Sequence, residues 1–478
     1  MKVVQIASEA APFSKSGGLA DVLHGLGRAL VDAGEEVWTI SPRYRGVAPE
    51  APAVDTVRVT LAGQEHTVTL HRVDHQGIRH LFVDNPMFDR EGLYGDQHGS
   101  FGDNHLRFAL LCQAALHATR RQIDPAGEVV FHCHDWQAAL VPIYLAAHWR
   151  PVGLFERAAT VLTLHNPAHQ GRFPAALFDD LELSARWLSS WALEFYGDLA
   201  LLKGGIQHAD QITTVSPTFA EEIVRPGGGF GLSELFAARR ADLAGILNGI
   251  DEDEWNPAAD PHLEAPIVAG TLAGKARNKA AIQAELGLPI DPNAPLLGAI
   301  GRIDPQKGMD LLIESAPWLA KQGAQLVVLG TAAAAHAFYE DRLRALEAAY
   351  PRHVRAWIGY SDAVAHRIQG GADLFLMPSL FEPCGLTQMY AQRYGTPPVV
   401  RRTGGLADSV APEAGFVFDA PTGQQLRDTL WQAIRLFRED RTAFDAMRRA
   451  GMARDFSWRG AAEQTRSVYR RAMQRRAG

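Results

Sequence analysis

The sequence predicts an α/β chain made of two successive series of parallel strands and helices. Three observations lead there. Short apolar runs recur, each with a polar or glycine-rich turn at its carboxyl end and a helical segment after it, the pattern of βαβ units. The pattern runs once from Val3 to about Val215 and begins again at Pro295, beyond a Pro/Ala-rich connection. Finally, 478 residues exceed what one core holds, so two domains of about 200–250 residues are expected.

In the first series, residues 3–7 read as a buried strand. Ser14, Lys15, Ser16, Gly17, Gly18, Leu19, Ala20 and Asp21 follow, then a helix over about 21–33 with Leu23, Leu26 and Leu30 on one face, ended by Gly34. Glycines at this turn let backbone approach a phosphate or sugar, and Lys15 adds a cation; the other reading is a tight turn beside a surface lysine. Alternation over 66–73 and 78–83, around a turn at 74–77, predicts a hairpin. Residues 92–104 read as a glycine-rich loop before a helix over about 104–121. Strands over 129–133 and 161–164 end in His134-Asp135-Trp136 and His165-Asn166-Pro167, with a helix over 137–149 between them. Polar residues at the carboxyl ends of parallel strands are the expected wall of a ligand cleft. A histidine there either meets a sugar hydroxyl or caps the chain. Adjacent strand residues point to opposite faces, so His132, His134 and Asp135 make a poor metal chelator. Ser216-Pro217 starts a further helix as an N-cap with proline in the first turn.

In the second series, strands are expected over 296–300, 325–329 and 354–358. The first ends in Gly301-Arg302 and continues to Gln306-Lys307-Gly308. Two cations five positions apart suit a diphosphate better than either alone, or else form a surface pair. A strand over 374–377 is stopped by Pro378, and Glu382-Pro383-Cys384-Gly385-Leu386 leads into a helical segment over 387–394. A strand over 398–400 ends in Thr403-Gly404-Gly405. A carboxylate and a glycine therefore stand where a parallel strand passes to a helix. Open α/β sheets bind ligands at that edge, and helix N–H groups there favour an anion. The stretch reads as a sugar-nucleotide seat, with the diphosphate at the helix start and a hexose near Glu382. The plain alternative is a strand–turn–helix capped by Glu382.

Composition narrows the partners. The net charge of −7 argues against nucleic acid as a polyanionic partner. No apolar run approaches the roughly 18 residues of a membrane span, so no membrane partner is expected. The opening VVQIA reads as a strand, without the long apolar core of a signal peptide. Cys112, Cys133 and Cys384 are too few for a disulfide framework, and a cytoplasmic location is expected. Residues 458–478 read as a basic helix whose Arg466, Arg470, Arg471, Arg475 and Arg476 form a solvated face.

Taken together and in order, these motifs resemble bacterial glycogen synthases and plant starch synthases. The resemblance also runs through Gly92-Leu93-Tyr94-Gly95, Leu202-Lys203-Gly204-Gly205-Ile206, Ile246-Leu247-Asn248-Gly249-Ile250-Asp251, Trp255-Asn256-Pro257 and Arg401-Arg402-Thr403-Gly404-Gly405-Leu406, and covers nearly the whole chain. It implies the GT-B fold, an α/β architecture of two Rossmann-like domains facing across a cleft. Residues 1–250 would form the acceptor-side domain with the Lys15 loop, residues 251–457 the nucleotide-sugar domain, and 458–478 a helix returning to the first. By motif, Lys15, Gly17, Gly18 and Asp21 would line the donor site, and Arg302 and Lys307 would clamp the diphosphate. Glu382 would bind glucose hydroxyls or stabilise the cationic transition state, and His165 would contact the glucose. Asp135 and Asn248 would lie in the cleft and Tyr360 beside the adenine. Cys384, Gly385, Leu386, Thr387, Thr403, Gly404 and Gly405 would lie near phosphate and sugar. Two residues depart from the family pattern. Ser16 replaces a threonine and keeps its hydroxyl, whereas Thr387 replaces an asparagine and cannot reproduce an amide's hydrogen bonding.

The implied reaction moves an α-glucosyl unit, with retention, from ADP-glucose to the non-reducing-end 4-hydroxyl of glycogen or another α-1,4-glucan. Neither a metal nor pyridoxal phosphate is expected as cofactor. The alternatives are a synthase preferring UDP-glucose, a phosphorylase with a lysine-bound pyridoxal phosphate, a sugar-nucleotide epimerase and a non-catalytic glucan- or sugar-nucleotide-binding protein.

Overall fold

The apolar runs become strands buried on both faces, as parallel sheets require. The computed structural model describes residues 1–96, 99–123 and 127–477. Two compact units result: Met1–Gly249 with Trp458–Gly478, and Ile250–Ser457.

The sheet of the first unit contains β1 (Lys2–Ile6), β2 (Glu36–Pro42), β3 (Ala53–Leu61), β4 (Gln64–His75), β5 (Ile78–Asp84), β6 (Val129–His134), β7 (Ala159–Leu164), β8 (Gln211–Thr214) and β9 (Leu243–Gly245). Their order is β9-β8-β7-β6-β1-β2-β5-β4-β3. Pairing is parallel from β9 to β5 and antiparallel for β4 and β3. The expected hairpin becomes two. Ala62-Gly63 and Gln76-Gly77 all take positive φ, the two-residue turn that matches strand twist. The order in which strands are added reverses at β1, where β2 lies on one side and β6 on the other. Such a switch point opens a crevice at the carboxyl ends.

Several expected elements shift. The first helix runs Gly18–Asp32. The helix expected over 137–149 is interrupted once, after Asp135–Ala138, and resumes as Val141–Tyr144 running directly into Leu145–Trp149, with Pro142, which lacks an N–H, in the first turn of the resumed helix. The loop over 92–104 carries a short pairing of Gly95–Asp96 with Gly99–Ser100; residues 97–98 of that expectation lie outside the described residues. Ser216 caps Pro217–Ile223, accepting from Phe219 N.

The second unit holds a wholly parallel six-stranded sheet. Its strands are β10 (Leu296–Ile300), β11 (Gln325–Gly330), β12 (Val354–Ile358), β13 (Leu374–Met377), β14 (Pro398–Arg401) and β15 (Phe416–Phe418). The order β12-β11-β10-β13-β14-β15 places the switch point between β10 and β13. The sequence reading covers neither β15 nor the helices Gly423–Glu439 and Arg441–Met452. The irregular stretch after Ile250 is pinned by Trp255, whose ring stacks between His366 at 3.9 Å and Tyr390 at 3.8 Å. Among the described residues no helix is long and apolar enough to cross a membrane.

The helix Trp458–Ala477 packs on the first unit. Trp458, Ala461, Ala462, Thr465, Tyr469 and Ala472 are buried at helical spacing. They join Val22, Leu26 and Leu30 in one cluster. Of its arginines, Arg470, Arg471 and Arg475 are exposed as the sequence suggests, whereas Arg466 and Arg476 are half-buried in ion pairs. Arg466 bonds Glu35 at 2.7 Å, Arg476 pairs with Asp210 at 2.8 Å, and Arg475 pairs with Asp242. Those carboxylates lie too far away in sequence for a local charge pattern to reveal them. Gly25 is required beneath this helix, because a Cβ there would fall 2.0 Å from Trp458 Nε1. Gly25→Ala should therefore lower stability by about 1–3 kcal/mol as an overpacked contact, despite alanine's better helix propensity. Urea denaturation followed by tryptophan fluorescence checks this, and an unchanged midpoint would contradict the packing.

Candidate functional site

In the second unit the site is built on the β10/β13 switch point. Asp304 accepts from Lys307 N at 3.0 Å and caps the short turn Pro305–Lys307. Gly308, at φ 70°, then starts the next helix, Met309–Lys321, and lies so close to Pro378 O that a Cβ would meet it at 2.1 Å. This contact brings the Lys307 turn against the end of β13. Lys307 Nζ reaches Glu382 Oε2 at 2.5 Å, and Ser379 Oγ donates to the same oxygen at 3.0 Å. Glu382 is 5% exposed. A carboxylate so removed from water needs a cation and a donor to offset its desolvation, and both are present. Gln306 and Leu380 tie the two loops together, with Leu380 N donating to Gln306 O at 2.8 Å.

Arg302 differs from Lys307. It is exposed, with Nη2 bonding Gln306 at 2.9 Å and Nη1 lying 3.5 Å from Asp304. Arg302, Lys307 and Ser379 line one pocket with Gly301, Met377 and Pro378. The Thr403-Gly404-Gly405 turn packs directly on the Glu382 loop. A Cβ on Gly404 would fall 2.0 Å from Glu382 O, and one on Gly405 2.1 Å from Cys384 O. Gly405 N donates to Glu382 O at 3.0 Å. The glycines thus allow a second helix start, Gly404–Ser409, to lie against the first, Thr387–Arg393. Gly385 takes φ 73° ahead of Leu386, and Cys384 is buried. Thr387 turns its hydroxyl to Met377 Sδ at 3.2 Å. Tyr360 is 77% exposed, its hydroxyl donating to Asp362 at 2.6 Å.

In the first unit the sequence-predicted residues gather at the carboxyl ends of β1, β6 and β7. Lys15 Nζ pairs with Asp21 Oδ1 at 2.8 Å. Burial pushes the Asp21 carboxyl up, and Lys15 opposes it. The glycine loop is organised by a residue the sequence reading missed, Glu9. Its carboxylate accepts from Ser16 Oγ at 2.6 Å, from Gly17 N at 3.3 Å, from Ser16 N and from the Tyr94 hydroxyl. Gly17 N-caps the helix that begins at Gly18. The available signal was positional: Glu9 follows β1 as Asp135 follows β6 and Glu382 follows β13. Tyr94, quoted only as part of a motif, also touches Ser8 at 2.8 Å.

Asp135 sits immediately after β6 with φ 55°, a conformation non-glycine residues hold at a cost. Its Oδ1 accepts from His165 N at 2.7 Å. His165 Nε2 stands 3.0 Å from His134 Nδ1. Burial pushes His165 down to about 4, partly opposed by the charge of Glu9. Asn248 lies with His134 and Thr213 around a small cavity. His132 and His134 share one sheet face two residues apart, their rings 4.1 Å from each other. Among the described residues no group of three or more His, Cys, Asp or Glu is placed to hold a metal.

Burial pushes Asp135 up to about 7, against the two backbone N–H groups of His165 and Asn166. The folded carboxyl therefore keeps its proton to about pH 7, whereas the unfolded one loses it near 4. The fold opposes ionisation, so this group's contribution to stability is full below about pH 4 and is lost as pH rises through 7. Asp135→Asn, which keeps the acceptor oxygen, should gain on wild type across that window by up to about 1.4 kcal/mol per pH unit. Urea midpoints of the two chains between about pH 4.5 and 8 check this, and a difference independent of pH would contradict it.

Residues 2–238 match the starch synthase catalytic domain, and residues 285–449 match glycosyl transferases group 1. The chain is 43% identical to glycogen synthase 2 of Geobacter sulfurreducens over 491 residues, covering 100% of both. It is 41% identical to soluble starch synthase 1 of Solanum tuberosum, across 98% of this chain and 78% of that one. Among solved structures, the catalytic domain of starch synthase IV from Arabidopsis thaliana bound to ADP and acarbose superposes with a TM-score of 0.91 at 33% identity, covering 99% of each chain. A sucrose-phosphate synthase from Thermosynechococcus elongatus, at 18% identity and a TM-score of 0.59, shares the fold alone. The chain belongs to the family of bacterial glycogen synthases and plant starch synthases, which are glycosyltransferases of the GT-B fold.

Proposed function

We infer that this chain transfers an α-glucosyl unit from ADP-glucose to the non-reducing-end 4-hydroxyl of an α-1,4-glucan, with retention and release of ADP. The observation that carries the reading is the Lys307–Glu382 pair, 2.5 Å apart at the β10/β13 switch point. A cation and a buried carboxylate side by side suit a ligand that is anionic at one end and rich in hydroxyls at the other. The ADP bound to the Arabidopsis structure supports the choice of donor, and the names of the full-length relatives support a glucan as product.

The barrier is cleavage of the bond between glucose and diphosphate, with positive charge growing on the sugar. In this scheme Lys307 and the exposed Arg302 take up the negative charge growing on the departing diphosphate, aided by backbone N–H groups at the two helix starts. Arg302 is pre-aimed by Gln306 and Asp304 and is exposed, so its fork can turn to a phosphate. Glu382 receives glucose hydroxyls or faces the cationic sugar. Its Oε2 is already engaged by Lys307 and Ser379, so Oε1 is the oxygen left for substrate. The departing phosphate takes the proton of the acceptor hydroxyl on the same face. His165 meets the glucose, Lys15 and Asp21 border the donor, and Tyr360 stacks beside the base. Two cations perform the charge neutralisation, and the scheme assigns no step to a metal or pyridoxal phosphate.

Nucleotide release measured with ADP-glucose and UDP-glucose in parallel, each with and without glycogen, tests the reaction. Glycogen-dependent ADP release at the higher rate is expected; release that ignores glycogen, or a preference for UDP-glucose, would contradict it. Arg302→Ala should leave the melting temperature unchanged and lower turnover by about 10²–10³, the effect of one preorganised electrostatic donor. Lys307→Ala should lower turnover as much and also destabilise the fold, by about 3–5 kcal/mol, because it strands Glu382 as a buried charge. Near-normal turnover in either variant would overturn the diphosphate clamp.

A further inference from the structure

Behind His165 lies a histidine that the reaction scheme does not use. His134 is 0% exposed, and its Nδ1 stands 3.0 Å from His165 Nε2. That bond occupies one nitrogen of His165 and leaves Nδ1 as the nitrogen available to a ligand. Burial holds both rings neutral, His165 pushed down to about 4 and His134 well below its ordinary value. Two neutral imidazoles facing each other through one hydrogen bond must hold complementary tautomers, so fixing one ring fixes the other.

His134 is in turn held from behind. Its ring packs 4.1 Å from His132, whose Nε2 lies 2.6 Å from Thr163 Oγ1 and whose Nδ1 lies 2.7 Å from the Tyr469 hydroxyl of the C-terminal helix. Tyr469 is wholly buried and its hydroxyl has no other partner among the described residues, so it donates to His132 Nδ1. His132 then carries its proton on Nε2 and donates to Thr163, which faces Thr213 at 2.5 Å. The Nε2 of His134 has no partner among the described residues. His134 also lines a cavity of about 20 Å³ with Thr213, Thr214, Asn248, Trp458 and Thr465, room for a single water. A buried imidazole with one unmatched nitrogen carries a desolvation cost that an apolar residue on this strand would avoid. The contact that offsets this cost is the bond to His165.

We propose that His134 is a positioning residue for the glucosyl transfer: it fixes the tautomer and the ring plane of His165, so that Nδ1 of His165 meets the sugar. The proposal rests on the transferase reading. It also makes the C-terminal helix part of the site's support, through Tyr469 and His132.

His134→Asn keeps a polar atom at the Nδ1 position, whereas His134→Phe fills the volume and removes the bond. With ADP-glucose and glycogen, His134→Phe should lower kcat by about 10–100-fold with little change in KM, the scale of a misoriented group. His134→Asn should recover most of the loss. His134→Phe should add nothing to His165→Ala, since residues that act through each other are not additive. If His134→Phe fails to fold, His134→Gln, which moves the amide to the Nε2 position, takes its place with the same expectation. A wild-type kcat, or a loss that multiplies fully with that of His165→Ala, would overturn the proposal. Ring-nitrogen NMR of histidine-labelled protein separates this from the reaction itself. His165 should show one neutral tautomer in wild type and His134→Asn, and exchange-averaged nitrogens without the bond. Were the wild type inactive, the transferase reading would fall, and an unchanged His165 tautomer without His134's Nδ1 would still refute the pairing.

Discussion

The site of the second unit depends on one ion pair. Lys307 and Glu382 meet at 2.5 Å although they lie 75 residues apart, because β10 and β13 are neighbours whose carboxyl-end loops leave the sheet in opposite directions. The parallel sheet builds the opening, and the pair decides what it accepts. A buried carboxylate alone would repel a diphosphate; with Lys307 against it that charge is offset, and Arg302 stands on the same edge as a second cation. The close backbone approaches at Gly308, Gly404 and Gly405 serve this arrangement. Each removes a side chain where one loop must touch another, and together they hold two helix starts beside the pair.

The first unit reaches a comparable solution with different groups. Glu9 collects the backbone N–H groups of the glycine loop much as a bound anion would, fixing Ser16 and Gly17 before any ligand arrives. Asp135 fixes the backbone of His165, and His134 fixes its ring. Polar groups here are held by other polar groups in a water-poor setting, where each such bond counts for more and each unmatched atom costs more. That setting also keeps the histidines neutral, suited to hydrogen bonding with an uncharged sugar rather than to holding an anion.

Much of this was legible in the chain because it is local. Strand ends, glycine turns and the residues just beyond them, such as Arg302, Glu382 and His165, are written in consecutive positions, and the apolar runs place them on one edge of a sheet. What could not be read arises from distant pairing. Glu9 stands in a stretch with no distinctive spacing, and its role appears only when the chain doubles back to Ser16 and when Tyr94 arrives 85 residues later. Arg466 of the last helix looks solvated until Glu35, 431 residues earlier, is folded against it. Periodicity also overstates continuity: the apolar pattern after Asp135 suggests one helix, and Pro142 divides it. The strand Phe416–Phe418 is three residues long, too short for periodicity to signal.

In the proposed reaction the edge between β10 and β13 receives the donor's diphosphate beside a carboxylate reserved for the sugar. A crystal structure of the protein with bound ADP tests it most directly. Phosphate oxygens are expected within hydrogen-bond distance of Arg302 and Lys307, with the adenine toward Tyr360 and Glu382 facing the space where glucose would sit. A diphosphate bound away from both cations, with the Lys307–Glu382 pair untouched, would contradict it.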